Sequence, residues 1–350
     1  MAFKLENLVR ENIKRLTPYS SARKEYSGAA QIYLDANENS FGSPLAVDYS
    51  RYPDPLQTKI KSKIAAMNDM KSSEVFIGSG SDEAIDLLFR IFCEPRRDSV
   101  LICPPTYGMY QVSAEINDVA VVKINLTSDF RLDSAAIEAA FELHPKLLFV
   151  CSPNNPTGNA FPREEILRLA GNFAGIIVTD EAYVHFSTEK SLVSEINRFK
   201  NLVVLQTFSK AWGLAGLRVG LAFADAEIIA LFNRVKPPYN VSQIAQTAIL
   251  EALENVGTVK KNIAEIIAER EKLMANLSAI SLVEKVYPTD ANFVLVKMTN
   301  AEKIYRNLLD EKIVVRNRSS VELCADCLRI TVGTPDENKS LLKSLKNLTT

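Results

Sequence analysis

Lys210 stands in the run Thr207-Phe208-Ser209-Lys210, directly after the apolar segment Leu202-Val203-Val204-Leu205. Such a short, β-branched run fits a strand buried on both faces. A lysine just past the carboxyl end of that strand is poorly solvated, so its pKa falls and a neutral amine becomes accessible. That amine suits condensation with an aldehyde. Thr207 and Ser209 flank it with hydroxyls, and Arg218 follows in a loop loosened by Gly213 and Gly216. Hydroxyls, lysine and arginine together can hold an aldehyde that also carries a phosphate. Alone, the segment reads equally well as strand, polar turn and surface lysine.

The other strand ends decide between the two, because ligands of an open parallel sheet bind beyond the carboxyl ends of its strands. Val75-Phe76-Ile77 runs into Gly78-Ser79-Gly80-Ser81-Asp82-Glu83 and then the apolar helix pattern AIDLLFRIF. Glycines leading into a helix N-terminus offer free N–H groups to an anion, although Ser81 or Asp82 could simply cap the helix. The next strand, ending at Cys103, delivers Pro104-Pro105-Thr106-Tyr107-Gly108, where the Tyr107 ring could lie flat on a planar ligand or merely pack. The strand ending at Cys151 delivers Ser152-Pro153-Asn154-Asn155-Pro156-Thr157-Gly158; this is dense turn chemistry, from which Asn155 could donate to a ring oxygen. The strand 175–179 delivers Asp180-Glu181-Ala182-Tyr183. An aspartate ending an apolar strand needs a cationic partner, and a protonated pyridine nitrogen would serve, with Tyr183 near the same ligand's phenolic oxygen. Anion cradle, aromatic plate, asparagine, aspartate with tyrosine, lysine and arginine describe a heteroaromatic aldehyde with a phosphate tail. That ligand is pyridoxal 5'-phosphate, with Asp180 keeping the ring charged as an electron sink.

The elements that must position these groups alternate from Glu74 onward: short β-rich run, turn, helix. The pattern predicts an α/β fold, a mostly parallel central sheet with helices on its faces. Residues 1–20 read as a helix ending at Pro18-Tyr19, and residues 31–44 as a polar loop whose Asn37-Glu38-Asn39 could face a substrate. Residues 56–69 read as helix. After the proline break 233–240, residues 242–275 read as one long helix bridging to a smaller α+β domain, with strands in 282–296, 312–317 and 327–333 and a helix at 300–311. The expected division is an N-terminal segment 1–45 packing with the small domain, a large cofactor-binding domain 46–240, and residues 241–350 as linking helix and small domain.

Composition narrows the function. Forty-one basic and 42 acidic residues give a net charge of −1, so there is no basic excess for nucleic acid or an anionic membrane. No apolar run has transmembrane length. The start MAFKLENLVRENIKRL mixes both charge signs, unlike a signal peptide or presequence, and a cytoplasmic location is expected. With 2 histidines a multi-histidine metal site is not expected, and no metal is assigned. Cys93, Cys103 and Cys151 read as small core residues, and the solitary Cys324-Ala-Asp-Cys327 pair as structural.

The stretches LTPYSSAR, LDANENSFG, RYPDP, GSGSDEAIDLL, CPPTYGMY, CSPNNPTG, TDEAYVHF, TFSKAWGLAGLR and LRITVGT together resemble the fold-type I pyridoxal-phosphate-dependent aminotransferase family nearly end to end, and within it the histidinol-phosphate aminotransferases. The resemblance implies amino transfer between L-histidinol phosphate and 2-oxoglutarate; a broader aromatic aminotransferase and a phosphate-recognising decarboxylase are the alternatives. It implies that Lys210 bonds the cofactor aldehyde and shuttles a proton, Asp180 pairs with the ring nitrogen, Asn155 and Tyr183 bond the phenolic oxygen, and Tyr107 stacks on the ring. Ser81, Asp82, Thr207, Ser209 and Arg218 would hold the phosphate. Tyr52 would reach the cofactor of a neighbouring subunit, making the active unit a homodimer. Arg329, assisted by Arg316, would bind a substrate anion, and Tyr19 and Asn37 would line the substrate pocket. Ser40 stands where the family's NEN run usually continues with proline.

Overall fold

The computed structural model describes residues 3–19 and 31–348; Ser20 to Arg23 of the LTPYSSAR motif lie outside them. Two sheets organise the chain. The first contains β1 (Val75–Ser79), β2 (Ser99–Ile102), β3 (Ala120–Lys123), β4 (Leu147–Cys151), β5 (Ile176–Asp180), β6 (Leu202–Thr207) and β7 (Val219–Phe223). Their spatial order is β1-β7-β6-β5-β4-β2-β3. All pairings are parallel except those of β7, which runs antiparallel to both β1 and β6. Six strands therefore end on one edge, and β7 begins there. Arg218 reaches the edge because it precedes a reversed strand, not because it follows a forward one.

Alternation along each strand divides the core. Ile77, Leu101, Leu148, Val150 and Val204 face one helical layer. Phe76, Val100, Phe149, Val203 and Ala222 face the other, formed in part by helices Ser81–Phe92, Met109–Ile116 and Ala226–Val235. These strands are apolar on both faces because both are covered.

Among the described residues, the start of the N-terminal segment packs against this second layer rather than the expected smaller sheet. Val9 and Ile13 are buried in its cluster, with Phe3, Leu5 and Leu8 alongside. The expected single helix is two turns, Leu5–Leu8 and Glu11–Lys14, separated by extended Val9 and Arg10. Arg10 breaks the run by docking: its N–H donates to Ile91 O, and its guanidinium to Glu94 and to Arg90 O. Apolar spacing marked a buried stripe but could not name its partner.

The second sheet has the order β10-β11-β9-β8, from β8 (Val283–Val286), β9 (Phe293–Met298), β10 (Arg316–Asn317) and β11 (Cys327–Thr331), all antiparallel. It packs on helices Val256–Ser278, Ala301–Asp310 and Pro335–Asn347 around Leu273, Val294, Val296 and Leu328. The single helix expected over 242–275 is two, Gln243–Ala252 and Val256–Ser278. Tight turns from Glu254 N–H to Glu251 O and from Asn255 N–H to Ala252 O end the first, while Leu253 stays buried. β10 is only two residues long, shorter than the run 312–317 suggested.

The sheets are clasped together. Asp290 N–H donates to Gly158 O at 2.8 Å and Ala160 N–H to Asp290 Oδ2 at 3.0 Å. Buried Arg270 donates through one nitrogen to Phe186 O and Ala291 O, each at 3.1 Å. Arg270→Ala strands two buried carbonyls and leaves a cavity. It should cost about 2–4 kcal/mol, read as a lower urea midpoint, and Arg270→Lys should recover only part of the loss.

Candidate active site

One cavity of about 710 Å³ lies at the edge where the six strands end. Its wall includes Ser81, Asp82, Tyr107, Asn155, Asp180, Tyr183, Thr207, Ser209, Lys210 and Arg218 from the first sheet, and Arg316 and Arg329 from the second. Three predicted residues are elsewhere in the single chain. Tyr52 stacks on Tyr239 at 4.4 Å between centroids, Tyr19 lines a separate groove with Pro55 and Lys236, and Asn37 sits in the exposed loop before Glu38, its φ of 53° in the left-handed region.

Asp180 ends the buried strand β5 and is 3% exposed. Burial pushes its pKa from 3.8 up to about 6, against hydrogen bonds that favour the carboxylate. Those come from the Tyr110 hydroxyl to Oδ2 at 2.7 Å and from Ala182 N–H to Oδ1 at 3.1 Å. Tyr110 is fully buried, stacked on Phe149 and edge-on to Tyr107. Sequence reading missed it because a tyrosine in the first turn of an apolar helix looks like packing; its spacing three residues after Tyr107 was the available signal. Glu181, next in the chain, points into a different nest. It accepts from Ser191 Oγ, Leu192 N–H and Gln206 Nε2, and burial raises its pKa to about 7. It ties the 191–192 loop to β6.

Lys210 is exposed into the cavity, contrary to the expectation of an amine shut away from water. Its pKa is nonetheless lowered, first by the desolvating cavity walls and then by Arg329 and Arg218. Its Nζ lies 5.6 Å from the centre of the Tyr183 ring. Tyr183 is buried, edge-on to Phe293 of β9.

The turn before helix Ser81–Phe92 forms the opposite end. Gly80 has φ +76°, and a Cβ there would come within 2.8 Å of Arg218 Nη2. Gly220 of β7 passes so close to this turn that a Cβ would lie 2.1 Å from Ser81 N. The backbone contact at Gly220 admits no side chain, and the positive φ of Gly80 favours glycine there. Arg218 itself has φ 52°, and its Nη2 lies 3.2 Å from Asp82 Oδ2, while the Tyr107 hydroxyl donates to Asp82 Oδ1 at 3.1 Å. The Asp82 side chain is acceptor-only, so toward an anion it can offer only its backbone N–H. Thr207 Oγ1 accepts from Ser209 N–H at 3.1 Å, shaping the adjoining turn.

On the far wall, the Arg329 guanidinium donates to Asn155 Oδ1 and lies over the Phe293 ring at 5.1 Å. The residues fit pyridoxal 5'-phosphate on the structure's own terms: a buried carboxylate short of a cation, a glycine-shaped helix N-terminus beside an arginine, and a lysine of lowered pKa in the same cavity.

The chain matches the aminotransferase class I and II family over residues 35–345. It is 49% identical over 346 residues to the histidinol-phosphate aminotransferase of Cytophaga hutchinsonii, covering 99% of each chain. It belongs to the histidinol-phosphate aminotransferase family within that class. A structure of a histidinol-phosphate aminotransferase from Clostridium acetobutylicum aligns with a TM-score of 0.79 at 26% identity, covering 85% of this chain and 90% of that one. The fold is also that of the Sinorhizobium meliloti histidinol-phosphate aminotransferase in complex with pyridoxal-5'-phosphate, with a TM-score of 0.80 at 24% identity and 89% of each chain covered. Pyridoxal phosphate is the cofactor of the aminotransferase family to which this chain belongs. Among the described residues no helix is long and apolar enough to cross a membrane.

The raised Asp180 pKa makes a signed prediction for the cofactor-free protein. Between its unfolded value of 3.8 and its folded value of about 6, the folded state holds a proton that the unfolded chain has released. This residue's contribution to stability therefore rises as pH falls from about 6 toward 4, and its full penalty applies above 6. Asp180→Asn should stabilise the cofactor-free protein by roughly 1–3 kcal/mol at pH 7.5 and by little near pH 4, read from denaturant melts at both pH values. Tyr110→Phe should act oppositely at pH 7.5, lowering stability and weakening retention of the cofactor.

Proposed function

We propose that this chain transfers the amino group between L-histidinol phosphate and 2-oxoglutarate, yielding imidazole acetol phosphate and L-glutamate, as a step of histidine biosynthesis. The observation that carries the reading is one cavity with Lys210 and Asp180 on its first-sheet side and Arg316 and Arg329 on the other. The relatives' names support the substrate.

When bound, the cofactor would supply an aldehyde carbon for the amine and a protonated ring that draws electrons from the reacting carbon. Asp180 holds the ring nitrogen protonated, and Tyr110 keeps that carboxylate aimed. Asn155 and Tyr183 direct the ring's phenolic oxygen, and Tyr107 covers one ring face. Arg218, with Thr207, Ser209, Ser81 and the Asp82 backbone N–H, anchors the phosphate. Lys210, its pKa lowered by burial and the neighbouring arginines, would take the proton from the substrate Cα and deliver it to the cofactor's C4′. Arg329 and Arg316 grip the anionic end, so glutamate and histidinol phosphate can occupy one site in turn.

The working unit is a homodimer in this reading. Ile32, Leu34, Phe41, Leu45 and Val47 are all more than half exposed, an apolar density that marks an interaction surface. The half-exposed Tyr52 lies beside that stretch and would complete the neighbouring subunit's phosphate site, with Tyr19 and Asn37 near its substrate.

Glutamate alone should shift the visible absorbance of the cofactor-loaded protein, and Lys210→Ala should abolish transamination. Release of carbon dioxide without that shift would instead mark a decarboxylase, and equal rates with phenylalanine a broader aromatic enzyme. Sedimentation should give a dimer. Tyr52→Phe should weaken cofactor retention without dissociating it; a monomeric, fully active protein would remove the shared site.

A further inference from the structure

The short ladder at the cavity's far wall carries a third arginine that the sequence reading passed over. Arg316 pairs directly with Arg329 and Asn317 with Leu328. The Arg318 N–H extends the ladder by donating to Cys327 O at 2.8 Å. Side chains alternate along a strand, so Arg316, Arg318 and Arg329 share one face. Asn317 turns away, its amide on Glu302 Oε2 at 2.6 Å. All three arginines line the cavity.

This arrangement is costly as it stands. Like charges directly opposed across a ladder repel. Arg318 Nε is buried and has no hydrogen-bond partner. Among the described residues none of the three arginines forms an ion pair, and Glu322, in the same wall, reaches none of them within 4.0 Å. Burial lowers the proton affinity of Arg318 and Arg329, with the neighbouring arginines adding to it. A buried, unmade charged hydrogen bond is expensive, and an anion arriving beside Arg318 would satisfy its Nε while screening the three like charges.

Two guanidinium groups suffice for a carboxylate. A phosphate monoester carries close to two negative charges at neutral pH and presents three outer oxygens. We propose that Arg318 is a specificity residue that contacts the substrate's phosphate, tuning this chain toward a phosphate-bearing amine over the dicarboxylate glutamate. The inference rests on the aminotransferase reading for its substrate but not for its anion.

The test uses cofactor-loaded protein, whose own phosphate occupies the Arg218 end. In Arg318→Gln, kcat/KM for L-histidinol phosphate should fall about 10–100-fold, mostly through KM, while that for glutamate changes less than about threefold. Arg318→Lys should recover part of the loss. Inorganic phosphate should protect the parent against thermal unfolding and protect Arg318→Gln less. Equal losses with both substrates, or no loss with either, overturn the inference. If the parent turns over neither substrate yet its phosphate protection depends on Arg318, the aminotransferase reading fails while this anion site stands; undiminished protection in Arg318→Gln overturns the site itself.

Discussion

A carboxylate held at the end of a strand with apolar neighbours on both sides is the constraint on which the rest of the structure depends. Asp180 pairs in register with Cys151 of β4 and Leu205 of β6, deep in a sheet covered on both faces. Two hydrogen bonds offset only part of the cost of taking a charge out of water. The remainder creates a preference for a cation at one point in space. The Arg218 cradle and Lys210 line the same cavity, so in the proposed reading one electrostatic debt would set both where the cofactor sits and which way it faces.

The reversed strand β7 makes this geometry possible. A seventh parallel strand would send its beginning to the opposite edge, taking Arg218 with it. Running antiparallel, β7 instead starts beside the helix N-terminus at Ser81, and Gly220 permits a contact that no side chain could make. The anion end is thus built from two chain segments 136 residues apart, Asp82 and Arg218, pressed together by backbone shape.

Much of the first sheet was legible in the sequence. Continuous apolar runs such as Leu147–Cys151 and Leu202–Leu205 are hard to read otherwise, and the residues just past them are few enough to examine one by one. Direction was not legible, since Val219–Phe223 has the same apolar character in either sense. Partners were not legible either: Val9 and Ile13 mark a buried face, but only the docked Arg10 shows where it goes. The length of a helix depends on local turns such as that at Leu253, which amphipathic spacing ignores. Tyr110 and Arg318 share a further reason. Each acts on the site from inside an element that explains it adequately on other grounds, a packed helix for one and a basic polar turn for the other. Lys210 was placed by its strand, but its solvation depended on the cavity, which no single segment encodes.

Each sheet has a core of its own, with Phe76, Leu148 and Val203 in the first and Val294, Leu328 and Leu345 in the second, and the two join where Leu295, Cys324 and Cys327 pack into the first sheet's cluster. In the proposed reading the cofactor would rest on the first sheet, and the substrate's charged tail would be held by Arg316, Arg318 and Arg329 of the second. On that reading, replacements between residues 316 and 323 would change what the protein accepts while Asp180 and Lys210 stay in place. A scaffold divided in this way lets descendants of one ancestor diverge in diet through a handful of surface substitutions, without first surviving damage to their reactive centre.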